Sequence, residues 1–222
     1  MSRAIAVLRP EPGNRATAAA IEGRGRRAIR LPLFEVRPLP WTAPDPRDFD
    51  ALLLTSANAV RHAGPALAAL APLPVHAVGR ATAEAARRAG LQVVAVGDDG
   101  AATLVADAEK AGVRRALHLA GRERTLEAGG IIAAIVTVYA SEPLPVPPEA
   151  VARLAGSVAL LQSTRAAHRL AELVPPPRRS GIALAAVSAR AAAAAGPGWQ
   201  RVEIAADPSA ETLIEAAIAL AD

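Results

Sequence analysis

The chain has 222 residues, 52% hydrophobic and only 2% aromatic, which is material for two ordinary domains with cores of Ala, Leu, Val and Ile. It contains no cysteine, and this excludes disulfides, thiolate catalysis and zinc ribbons. The formal net charge of +4 is carried by arginines, with Lys110 the sole lysine, but these are scattered and the few aromatics offer no base-stacking platform, so no nucleic-acid partner is expected. The arginines read either as a solvated surface or as planar forks for an anionic small molecule. Met1 to Pro10 soon meets Glu11, Gly13 and Asn14, unlike a signal peptide, and the longest apolar run, 129–140, is too short to span a bilayer. A soluble cytoplasmic protein with no membrane partner is expected.

In chain order, the spacing predicts a strand over 5–8, a helix over 13–23 and an extended stretch over 28–36 interrupted by Pro32. A strand over 51–55, a helix over 57–70, a strand over 75–78 and a helix over 81–89 follow. Next come a strand over 92–96, a helix over 101–111, a strand over 116–119 and an apolar extended segment over 132–139. The alternation resumes with strands over 158–162, 182–187 and 201–204, and with helices over 166–173, 189–195 and 210–220. Short apolar strands alternating with helices of about ten residues predict an α/β fold with parallel sheets flanked by helices, whose ligands sit beyond the carboxyl ends of the strands.

The chain is also written twice. Asp50–Val60 reappears as Ser157–Ala167 with Ser56 and Ser163 in register, Ala77–Gly79 as Ala186–Ser188, Leu91–Val96 as Trp199–Ile204, and Leu33–Pro40 as Val138–Pro145. Offsets of 105 to 109 residues are too long for a solenoid repeat and mean two similar domains with a cleft between them. Two proline-rich joints, 38–46 and 143–148, read as semi-rigid crossings between domains. The expected partition is a discontinuous first domain, 1–38 with 143–222, and a second domain, 39–142, linked by two extended hinge strands. A single cut near residue 110 would instead place each joint inside a domain. Two thin joints also predict that the domains move relative to one another.

Several motifs then fall in a characteristic order: Leu8 to Gly13, Pro32 to Phe34, Leu54 to Val60, Val78 to Ala83, and Val138-Tyr139. Together with the duplication and the two joints, they resemble the uroporphyrinogen-III synthase family over essentially the whole chain. The resemblance implies two α/β domains, the first discontinuous, and a cofactor-free, metal-free cyclising lyase acting on hydroxymethylbilane, a linear tetrapyrrole with acetate and propionate side chains. Water is lost and the macrocycle closes with inversion of the terminal pyrrole, through a spirocyclic intermediate. A monomer is expected. The competing reading is a non-catalytic two-domain paralogue that binds an anionic small molecule in the cleft.

The family carries a tyrosine at the position of Tyr139, facing the cleft. Tyr139 is the only tyrosine here and its repeat mate is Phe34, so the copies differ there by one hydroxyl. A phenol is protonated at neutral pH and can donate to a leaving hydroxyl. Thr55, Ser56 and Asn58 fall where a strand meets a helix, as helix caps, ligand contacts or both. Gly79 permits close backbone approach and Thr82 brings a hydroxyl to the same turn; Ser163, Thr164 and Arg165 form the equivalent turn of the second copy. Arg9 is the leading candidate for a substrate carboxylate, with a salt bridge to Glu11 as the alternative. The chain departs from the family at Ser188-Ala189-Arg190-Ala191, where a Gly followed by Thr residues is usual, so Ser188 and Arg190 become candidate contacts in place of those hydroxyls. The segment after Gly121 to Arg124 is short, and its helix is expected to be frayed or missing. The four histidines are assigned no role, and neither Ser56 nor Ser163 sits in a Gly-x-Ser-x-Gly elbow.

Overall fold

The computed structural model describes residues 2–222; Met1, where the first domain is expected to begin, lies outside them. In chain order the elements are β1 (Ile5–Val7), α1 (Gly13–Glu22), β2 (Ala28–Arg30), β3 (Phe34–Pro38), β4 (Ala51–Leu54), α2 (Ala57–His62) and β5 (Val75–Val78). Next come α3 (Arg80–Arg88), β6 (Val93–Gly97), α4 (Ala101–Lys110), β7 (Ala116–Gly121), β8 (Ile132–Pro143), α5 (Pro148–Ala152) and β9 (Val158–Leu161). The chain continues with α6 (Thr164–Leu173), α7 (Pro176–Arg179), β10 (Ala183–Ala186), α8 (Ala189–Ala194), β11 (Arg201–Ile204) and α9 (Ala210–Ala221).

The chain divides into two compact units. Unit 1 comprises Met1–Glu35 and Pro143–Asp222, and unit 2 is Val36–Glu142. The sheet of unit 1 has the order β11-β10-β9-β1-β2, and each of these neighbouring pairs is parallel. The second sheet has the order β3-β8-β7-β4-β5-β6, parallel from β8 to β6, with β3 bordering β8. Matching 11-10-9-1-2 to 6-5-4-7-8 carries the duplication from sequence into topology. In both sheets the winding reverses, between β9 and β1 and between β4 and β7. Such reversal points open a crevice at the carboxyl ends of the strands.

The central strands are apolar and buried throughout, as expected when helices cover both faces of a sheet. One face of the second sheet packs Leu52, Leu54, Leu117 and Leu119 against α2 and α3 residues, and the other packs Ala51 and Leu53 against Ala108 of α4. The edge strands β6 and β11 leave Val94, Val96, Val202 and Ile204 exposed at matching repeat positions.

The structure departs from the sequence pattern in three places and meets it in a fourth. The helix expected over 57–70 ends at His62, and a 3-10 stretch takes over at Gly64, where φ is +65° and Pro65 follows. The extended stretch over 28–36 is two strands, β2 and β3, in different sheets. The short helices α5 and α7 start on prolines, where the missing N–H costs nothing. Residues 122–131 carry no helix, as the short segment suggests; Leu126 and Ile131 cover that face of the sheet instead.

Candidate active site

In unit 2 the β4–α2 turn stands at the reversal point. Ser56 is extended, and its Oγ accepts a hydrogen bond from the Asn58 amide at 3.2 Å, capping α2. The Asn58 side chain accepts from Arg61 at 3.2 Å. Thr55 Oγ1 lies 3.1 Å from Nε2 of His118 on the neighbouring strand β7. His118 is fully buried, and that burial, helped by the positive charge of Arg124, pushes its pKa down to about 4. It is therefore a neutral imidazole at physiological pH. In the next turn Gly79, with φ +75°, donates its amide to Gly97 O at 2.8 Å and opens α3 with no side-chain cap. Thr82 is buried in the first turn of that helix.

Tyr139 is paired with Gly121 at the carboxyl end of β7. A Cβ on Gly121 would lie 2.5 Å from Tyr139 Cζ and 2.8 Å from its hydroxyl oxygen. The phenol therefore occupies the space a Cβ would fill at Gly121, and no other residue there leaves it room. His62, at the end of α2, faces the ring with centroids 6.1 Å apart and planes at 38°. Burial, and then the adjacent Arg61, lower the His62 pKa, which favours the neutral ring.

In unit 1 the equivalent edge begins with Arg9, just past β1. Its guanidinium lies over Gly13, where a Cβ would come within 2.4 Å of Nε. Asn14, fully buried, holds this corner by donating to Val7 O at 2.7 Å and to Arg9 O at 3.0 Å. Glu11 forms an ion pair with Arg30. Desolvation opposes its ionisation, but the Arg15 amide and the Arg30 guanidinium hold its carboxyl below the ordinary glutamate range. Beside Arg9, across β1–β9, Ser163 caps α6 by accepting from the Ala166 amide at 3.1 Å. Thr164 opens that helix, and the Arg165 guanidinium stacks 4.5 Å above the Phe34 ring. Ser188 caps α8 by accepting from Ala191 at 3.3 Å, and Arg190 is exposed in its first turn. Each unit thus gathers its own candidates at one sheet edge: Thr55, Ser56, Asn58, Gly79 and Tyr139 in unit 2, and Arg9, Ser163, Thr164, Arg165 and Ser188 in unit 1.

A family model described as uroporphyrinogen-III synthase HemD matches residues 15–215. The chain belongs to the uroporphyrinogen-III synthase family. Members are cyclising lyases of tetrapyrrole biosynthesis. Among solved structures, the uroporphyrinogen-III synthetase of Helicobacter pylori matches at 20% identity over 99% of this chain and 100% of its own, with TM-score 0.70. A mutant uroporphyrinogen III synthase from Thermus thermophilus matches at 19% identity over 97% of this chain and 96% of its own, with TM-score 0.54. At such identities these two likenesses speak for the fold. No curated protein sequence matches significantly.

Within this uroporphyrinogen-III synthase fold, the residues missed by sequence reasoning are Gly121, Gly13, His62 and His118. The glycines carry no chemistry, and their role is to leave room for Tyr139 and Arg9. The one available signal was position: Gly121 closes an apolar strand ahead of charged residues. His62 and His118 stand 56 residues apart in the sequence, and only the β4–β7 pairing explains why His118 meets Thr55.

Proposed function

We propose that this chain converts hydroxymethylbilane into uroporphyrinogen III, with Tyr139 as the general acid. The observation that supports this most is the only phenol of the chain, held against Gly121 at the carboxyl edge of the sheet, in a chain of the matching family. A phenol with a pKa of about 10 keeps its proton at neutral pH. Tyr139 passes that proton to the hydroxyl of the bilane as the C–O bond breaks, and water departs. The electrophilic methylene left behind is attacked by the substituted carbon of the terminal pyrrole, giving the spirocyclic intermediate. Its rearrangement inverts that ring and closes the macrocycle. The ring proton released at the end restores the phenol, so the net change is loss of one water.

Arg9, Arg165 and Arg190, with the turns at Thr55, Ser56, Asn58, Gly79, Thr82, Ser163, Thr164 and Ser188, bind the acetate and propionate groups. Helix N-termini favour such anions, and arginine forks match carboxylates. Holding the bilane in a folded conformation accounts for most of the selectivity, because correct positioning lowers the barrier without new chemistry. We take 1–38 with 143–222 and 39–142 as the functional domains of a cytoplasmic monomer. No helix among the described residues is long and apolar enough to cross a membrane. The test supplies freshly made hydroxymethylbilane and separates the isomers formed. Type III product is expected; only the symmetric type I isomer, which forms without enzyme, would overturn the assignment.

A further inference from the structure

We infer that His118 is a positioning residue that fixes the direction of the Thr55 hydroxyl proton, so that Thr55 offers a hydrogen-bond donor to a carboxylate of the substrate. This rests on the reading that Thr55 contacts substrate. The His118 ring has no exposed surface, its Nε2 lies 3.1 Å from Thr55 Oγ1, and its Nδ1 has no hydrogen-bond partner. A neutral imidazole carries one proton, on one nitrogen or the other. On Nδ1, that proton would be a buried N–H with nothing to accept it, an arrangement that folded proteins very rarely tolerate. On Nε2, it donates to Thr55 Oγ1 and leaves only an empty acceptor at Nδ1, the milder omission. A doubly protonated ring would add both the orphan N–H and a buried charge, which burial and Arg124 oppose.

The Nε2–H form has a consequence for Thr55. Its oxygen accepts from His118, so its own proton is left to point elsewhere. Thr55 is half-buried and directly precedes the Ser56 cap of α2, at the reversal point of the sheet. The opposite tautomer would draw the Thr55 proton inward onto Nε2 and present only oxygen lone pairs, which repel a carboxylate. His118 therefore decides whether this turn attracts or repels an anion, without touching the anion itself. A leucine would fill the same buried strand position, so the polar ring calls for a reason beyond packing.

The test needs no variant at its first step. In protein labelled with ¹⁵N-histidine, the imidazole shifts of His118 at neutral pH should report the Nε2–H tautomer; an Nδ1–H or doubly protonated ring overturns the inference. In steady state, Thr55→Val should raise KM about tenfold with kcat much less affected, the size of one lost hydrogen bond to an ionised group. His118→Phe should raise KM in the same direction, His118→Gln should restore part of the loss because its amide can donate to Thr55, and Thr55→Val with His118→Phe should be no worse than Thr55→Val alone. Independent, additive effects overturn the positioning role while leaving Thr55 as a contact. An unchanged KM in Thr55→Val overturns the inference by a different route, because it removes Thr55 from the site whichever tautomer His118 adopts.

Discussion

Phe34 in unit 1 and Tyr139 in unit 2 occupy the same repeat position but have opposite settings. Phe34 is buried with the Arg165 guanidinium stacked on it, whereas Tyr139 lies across a glycine with His62 beside it. The histidines divide in the same way. His62, His76 and His118, all with pKa values lowered by burial, belong to unit 2, while His168 in unit 1 is exposed. One duplicated scaffold therefore carries a copy whose candidate turns hold Arg9 and Arg165 beside their hydroxyls, and a copy that sets a phenol beside the ring of His62.

The largest expected effect of this asymmetry is acid sensitivity confined to unit 2. A histidine whose folded pKa lies below its unfolded value of 6.5 costs nothing above that pH. Stability is then lost as the pH falls from 6.5 toward 4, because the unfolded chain binds more protons. For His118 alone the loss approaches about 3 kcal/mol by the bottom of that window. The Glu11 and Asp207 carboxyls of unit 1 are held below their ordinary values of 4.5 and 3.8, so their contributions are intact at pH 5 and fall away only as the pH drops through and below those values. Amide exchange at pH 5 and pH 7.5 should show protection falling in unit 2 while unit 1 holds, and His118→Phe should flatten the response. Equal loss in both units would remove the histidines as its cause.

Next in size, Tyr139→Phe should keep the fold and lower kcat about a hundredfold, at the lower end of general acid contributions because the bilane hydroxyl leaves readily. A larger type I fraction should accompany the drop as substrate escapes. Phe34→Tyr, its mirror, should leave rate and isomer ratio unchanged. If Tyr139→Phe retains full activity, the two aromatics are equivalent and the chemistry belongs to the turns.

Gly121→Ala should lower kcat about tenfold and stability by about 1–3 kcal/mol, because its Cβ would displace the phenol. The double variant with Tyr139→Phe should be about as slow as Tyr139→Phe alone, since both act on the same hydroxyl. The parallel change in unit 1, Gly13→Ala, moves the Arg9 guanidinium and should raise KM rather than lower kcat. A kcat effect there would place Arg9 in the chemistry rather than in binding.

The smallest expected effects come from the caps. Ser56→Ala, Ser163→Ala and Ser188→Ala should each cost about 1 kcal/mol in chemical denaturation, the usual value of an N-cap side chain. A KM rise well beyond that loss at any of the three would mark a direct contact with substrate.

Much of the fold was legible because the apolar strands are short, regular and repeated; the α/β class and nearly every strand follow from the pattern. The α2 boundary was missed because the apolar run continues through Gly64-Pro65, and hydrophobic spacing alone does not register a break made by φ. The short helices α5 and α7 hide in proline-rich stretches that read equally as extended chain. For the site, residues with reactive side chains at strand ends could be singled out, Tyr139 above all. Gly121 and Gly13 could not, because their role depends on what lies across them, and His118 could not, because strands β4 and β7 are paired across more than sixty residues of intervening chain.

The position of β1 has a further consequence, for how the chain is made. β1 lies inside its sheet between β2 and β9, and its Ile5 and Val7 are fully buried there. Its partner β9 begins at Val158, about 150 residues later in synthesis, while all of unit 2 emerges in between. At about 5–20 residues per second, the ribosome takes between about 8 and about 30 s to supply that partner. Through this interval β1 has at most one of its two edges covered, by β2, while unit 2 can already fold behind it. The later segment of unit 1 thus completes the sheet that the earlier one begins, and a strand left half-paired in this way is a natural client for a chaperone.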